Sequence, residues 1–165
     1  MFVGHYAVGF AAKHLAPRAS LGVLMAAPVL LDLLWPVFLA LGWEQVRIDP
    51  GNTAVSPLDF VPGGPRVGLG LWNSIPGTLT VELAMYAVGL WLYVSMSRAR
   101  DWTGRLSLWA FVAVSLLLYL GALFGPPPPD IRTLMVSAFS GWLVPAWAWW
   151  FDRHRDVRAN SVNYS

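Results

Sequence analysis

Cysteine is absent from this 165-residue chain, which excludes disulfides and thiolate metal sites and leaves the redox compartment unreadable. Charge is scarce as well: Asp, Glu, Lys and Arg together make 12% of the residues, against 56% hydrophobic ones. That composition, with a mean hydropathy of +0.53 and ten Trp, belongs to a polytopic membrane protein and not to a soluble domain. No basic stretch interleaved with aromatics is present, so nucleic acid is not an expected partner. A cleavable leader is not expected either. The first cations, Lys13 and Arg18, follow an apolar stretch instead of preceding it.

What is present is four apolar runs near the ~20 residues that a bilayer requires. They are Leu21–Leu41, Thr78–Met96, Leu106–Phe124 and Thr133–Phe151, bounded by Gly42 with Glu44, by Pro76-Gly77, by Arg98 to Arg105, by Gly125 with Pro126 to Pro129, and by Arg153. The expected fold is therefore all-α and integral to the membrane: four transmembrane helices plus a short N-terminal apolar helix. Residues 1–155 form one domain, 43–77 an outward loop and 156–165 a flexible tail. Lys13, Arg18, Arg98, Arg100, Arg105, Arg153, Arg155 and Arg158 fall on one side of such a bundle, leaving Arg47, Arg66 and Arg132 on the other. The positive-inside rule then places both termini in the cytoplasm. Trp147, Trp149 and Trp150 beside Arg153 fit an interfacial belt.

Asp32 stands in the middle of the first run, where a carboxylate costs roughly 2.5–3.5 kcal/mol on insertion scales. Pro28 and Pro36 lie four residues to either side, and Pro36 cannot donate to the carbonyl of Asp32. Irregular backbone at membrane depth is tolerated inside protein or beside a wet cavity, so Asp32 is expected to face a polar, packed or water-filled site and not lipid. Residues 1–15 are too short to cross, which leaves them interfacial, re-entrant or packed on the bundle. His5 and His14 lie on opposite sides of that helix, and His5 is the better inward candidate. Glu82 reads as a dipole contact near the start of the second span. Asp49 and Asp59 read as turn residues of the long loop, and Trp72-Asn73 as an anchor and cap before Ser74.

The opening Met1-Phe2-Val3-Gly4-His5-Tyr6-Ala7-Val8-Gly9-Phe10 resembles the YdjM-like family of membrane-bound, metal-dependent hydrolases. So do Leu31-Asp32-Leu33-Leu34-Trp35-Pro36, Val46-Arg47-Ile48-Asp49-Pro50-Gly51-Asn52-Thr53 and Gly68-Leu69-Gly70-Leu71-Trp72-Asn73-Ser74. The resemblance runs to about Arg155. It implies a divalent metal such as Zn, held by His5 and Asp32, with Asp59 and Glu82 as further oxygen ligands and Trp72 and Asn73 lining the pocket. The chain departs from the family after Phe60, where a His-rich region and two spans are missing. Hydrolysis is then impaired, and two other classes stand beside it. One is a non-catalytic interaction protein. The other is a small proton-coupled transporter using Asp32, with a homodimer possible in each case and small residues such as Gly89 and Ala84 available for its contact.

Overall fold

The computed structural model describes residues 3–43, 45–48, 58–59 and 74–157, with the side chains of 58 and 59 left out. The sequence stretches holding Asp49, Trp72 and Asn73 lie outside those residues, as does the side chain of Asp59. Four helical rods are long and apolar enough to cross a membrane: Leu21–Ala40, Ile75–Met96, Trp102–Phe124 and Ile131–Asp152. The expected all-α membrane architecture is the one observed.

The first and last rods are broken where proline withholds a donor. Leu21–Ala40 is α2 (Leu21–Ala26) and α3 (Leu30–Ala40), joined by a 3-10 turn over Ala27–Val29 that contains Pro28. Gly42 follows α3 with φ +71°, the left-handed conformation that commonly closes a helix. Ile131–Asp152 is α6 (Ile131–Phe139) and α7 (Leu143–Asp152), joined by a 3-10 turn at Ser140–Trp142. Pro145 has no N–H for the carbonyl of Gly141, so the regular ladder cannot run through that turn. The indole of Trp142 donates across to the carbonyl of Leu33 at 3.0 Å, tying one break to the neighbouring rod.

The helices α4 (Ile75–Met96) and α5 (Trp102–Phe124) run unbroken. Both start earlier than their apolar runs, because capping residues draw polar neighbours into the first turn. The Ser74 hydroxyl accepts from the Gly77 amide at 3.1 Å, Asp101 from Gly104 at 2.7 Å, and Asp130 from Thr133 at 2.7 Å at the head of α6.

The short helix α1 (Val3–Leu15) packs on the bundle, parallel to α4. Ala7 lies against Gly89, so closely that a Cβ on Gly89 would sit 2.8 Å from the Ala7 Cα. Lys13 and Tyr93 then meet at one acidic residue, Asp152. Gly89 is therefore spent on α1 and not free for a dimer contact, whereas Ala84 is exposed. The aromatic core collects around α1: Phe10 faces Tyr93 at 5.1 Å and Phe111 at 6.1 Å, and Phe111 faces Phe151 at 5.3 Å. By contrast α6 buries none of its residues.

Two antiparallel strand pairs complete the described chain. Arg47–Ile48 (β1) pairs with Leu58–Asp59 (β2) inside the long loop. Ser97–Ala99 (β3) pairs with Arg155–Val157 (β4), so Asp156 and Val157, placed by expectation in the tail, belong to a strand.

Candidate intramembrane polar site

Lys13 fixes the level at one end of the bundle. Its Nζ donates to Asp152 Oδ2 at 2.6 Å and to the Ala19 carbonyl at 2.7 Å. The Tyr93 hydroxyl donates to Asp152 Oδ1 at 2.9 Å, and the Leu21 amide to Oδ2 at 3.2 Å. From this level, at about 1.5 Å per helical residue, His5 lies about 12 Å along α1, Asp32 about 16 Å along α2 and α3, and Glu82 about 16 Å along α4. A hydrocarbon core is roughly 30 Å thick, so a bilayer that begins at the Lys13 level would hold all three near its middle.

At that depth the fold brings two of the expected residues together. His5 Nδ1 lies 4.0 Å from Asp32 Oδ2, although the residues belong to different helices. The His5 nitrogen has no hydrogen-bond partner. His14, at the other end of α1, is exposed. Asp32 is the more open of the two: its side chain is 71% exposed, against 29% for His5. The reason is local. Leu33 and Pro36 take the inward face of α3, which turns the neighbouring Asp32 outward.

Glu82 takes the opposite course. The helix begins at Ile75, not Thr78, so Glu82 lies two turns inside it and is 3% exposed, too deep for the interfacial dipole contact. Tyr119 of α5 stands one turn beyond Ser115, at the level of Glu82, and its hydroxyl is buried without a hydrogen-bond partner. One turn away, Tyr86 and Ser115 share a 2.7 Å hydrogen bond across α4 and α5. Tyr6, next to His5 on α1, packs 6.0 Å from Phe111 of α5. A belt of His5, Asp32, Tyr6, Tyr86, Glu82, Tyr119 and Ser115 thus crosses the bundle at mid-depth. The tyrosines and Ser115 were legible only as spacing: Glu82 with Tyr86 and Ser115 with Tyr119 each stand four apart, on one face of a helix.

A divalent ion is a fair test of the first pair. Two donors on one Zn²⁺, each at about 2.0–2.2 Å, lie about 3.3 Å apart in tetrahedral geometry, so a small side-chain rotation would close 4.0 Å to that value. Yet among the described residues no three His or carboxylate groups come together, and Glu82 does not join the pair. Catalytic zinc sites usually use three protein ligands. His5 and Asp32 supply two.

His154 lies outside the belt, its Nδ1 2.9 Å from Asp101 Oδ2 beyond the ends of α5 and α7. Hydrogen bonding to His154, and then to the Gly104 amide, holds the Asp101 carboxyl below the usual carboxylate range. No protein-family model, curated protein or solved structure matches the chain.

Proposed function

We propose that this chain is a bacterial inner-membrane protein of the metal-hydrolase type with a reduced metal centre, in which His5 and Asp32 are the retained ligands. One observation carries the reading: two residues 27 positions apart reach 4.0 Å at mid-bilayer, with the histidine nitrogen otherwise unpartnered. A bound divalent ion supplies a water acidic enough to act near neutral pH. Two protein ligands do not complete such a centre, so hydrolysis by the single chain is impaired. The exposed side of Asp32 favours a homodimer. An uncovered carboxylate facing lipid is costly, and a second copy would both cover it and bring a second His–Asp pair. Both termini then face the cytoplasm, following the arginine bias.

The test is elemental mass spectrometry on detergent-purified protein beside His5→Ala and Asp32→Ala. About one ion per chain, or one per two chains in a dimer, lost in both variants, supports the reading. A parent that carries no ion after incubation with Zn²⁺ sinks it.

A second reading rests on the buried Glu82 at the level of Tyr119: proton coupling through the same belt. Proteoliposomes carrying a pH-sensitive dye would then show proton flux that disappears in Glu82→Gln and Asp32→Asn. Equal flux in the variants and the parent removes it.

A further inference from the structure

The basic end of the bundle holds a cavity of about 370 Å³, within the size range of small-ligand sites (roughly 300–1,000 Å³). Its lining is of two kinds. Arg98, Arg105 and Arg155 form one wall, while Val94, Leu108 and Trp109, from neighbouring faces of α4 and α5, form another. Val94 and Trp109 are partly exposed on the lipid-facing surface.

The three guanidiniums share a feature that topology alone does not require. Each described carboxylate at this end already has a partner: Asp101 has His154, Asp152 has Lys13, and Asp156 has Arg100 at 2.7 Å. Arg98, Arg105 and Arg155 pair with no carboxylate among the described residues. Arg153, the neighbouring cation, is turned away and stacked 4.1 Å over Trp149.

Arg155 is also pre-set. It is 8% exposed, and its donors are held by the Ser97 hydroxyl at 3.0 and 3.1 Å, the Ser97 carbonyl at 3.3 Å and the Gly104 carbonyl at 3.2 Å. Its Cζ stands 5.3 Å over the Tyr93 ring. Those acceptors are neutral, so they fix the guanidinium without cancelling its charge. A buried cation with no counterion is costly, and an anion that enters beside it relieves that cost. Arg98 and Arg105 are exposed and complete the mouth of the cavity.

We infer that this cavity binds the phosphate headgroup of an anionic phospholipid, with an acyl chain lying along the exposed Val94 and Trp109. Basic pockets between transmembrane helices take such headgroups, and each arginine near the charged surface contributes about fivefold in affinity. A free phosphate shares the guanidinium chemistry but has no use for the apolar wall.

The test is thermal unfolding of the full chain in a neutral detergent, titrated with phosphatidylglycerol, phosphatidylcholine or inorganic phosphate. Phosphatidylglycerol should raise the midpoint at concentrations where phosphatidylcholine does not. Arg98→Gln with Arg105→Gln should weaken that response about 25-fold, while Arg153→Gln leaves it unchanged. Both altered residues are exposed, so the double variant folds, and native mass spectrometry then counts retained lipid in it directly. An equal response to phosphatidylcholine, an undiminished response in the double variant, or a full response to inorganic phosphate alone overturns the inference.

Discussion

At the basic end Asp152 accepts three hydrogen bonds, one from a lysine 4% exposed, and its own side chain is 10% exposed. At mid-depth Asp32 meets the imidazole of His5 at 4.0 Å with 71% of its side chain uncovered. Both are carboxylates facing a basic side chain across helices, yet one is saturated and the other is not. A buried pair holds a fold only when its remaining lone pairs and protons are satisfied. The Lys13–Asp152 cluster meets that condition, binding α1, the start of α2, α4 and the end of α7 into one unit. The mid-depth belt leaves donors and acceptors open, as at His5 Nδ1 and the Tyr119 hydroxyl. Open polar groups at that depth are expensive, and a ligand or proton is what repays them.

The strongest way to break this contrast is Lys13→Met. It strands a buried carboxylate, so stability in detergent should fall by about 3–5 kcal/mol, and adding Asp152→Leu should restore part of the loss. Denaturant titration of the three proteins decides it. A loss under about 1 kcal/mol for the single variant would make the basic-end cluster no more structural than the belt.

Gly89→Ala asks whether α1 is seated as firmly as the cluster implies. The new methyl would meet the Ala7 carbonyl oxygen at 2.5 Å and its Cα at 2.8 Å, and backbone cannot step aside as a flexible side chain can. The expected cost is about 1–3 kcal/mol, with faster protease cleavage after Lys13. Unchanged cleavage would mean that α1 is not held against α4.

The parts of this arrangement that sequence made legible are those with a one-dimensional signature. Apolar run length marked all four rods, and Asp32 was conspicuous because nothing near it in sequence is charged. The pairing of His5 with Asp32 came from a resemblance, not from spacing, since 27 residues carry no periodic signal. Asp152 was invisible as a lock because beside Arg153 it reads as an ordinary span end. Only folding brings Lys13 to it from 139 residues away. Glu82 was misplaced because the apolar run starts at Thr78, while Ser74 caps the helix four residues earlier. The outward turn of Asp32 depends on which face Leu33 and Pro36 occupy, and that is decided by neighbours the local sequence does not name.

A smaller effect separates the basic end from the belt by pH. The Asp101 carboxyl is held low by His154 and the Gly104 amide. A depressed carboxyl contributes stability that is present above its unfolded value, about 3.9, and lost as pH falls through the lower folded value. Acidification below about pH 4 should therefore loosen the β3–β4 end first, read as faster hydrogen exchange at the Gly104 amide. Asp101→Asn should remove that acid-dependent step. A parent whose exchange there is flat across the window would show that the tie has no energetic weight.

The smallest expected change in stability is the one that tests the contrast most directly. Asp32→Asn keeps the shape of the side chain and removes its charge. The pair at 4.0 Å leaves most of the Asp32 side chain uncovered, so removing its charge should not lower the unfolding free energy. Metal retention or proton flux, whichever the parent displays, should disappear in the same protein. That combination, a silent fold with a lost function, is the signature of a carboxylate kept for chemistry. A loss of about 2 kcal/mol or more would instead make Asp32 a second Asp152, a paired carboxylate whose charge holds the bundle together. The belt would then be another lock, and the difference between the two ends of α1 would be one of geometry alone.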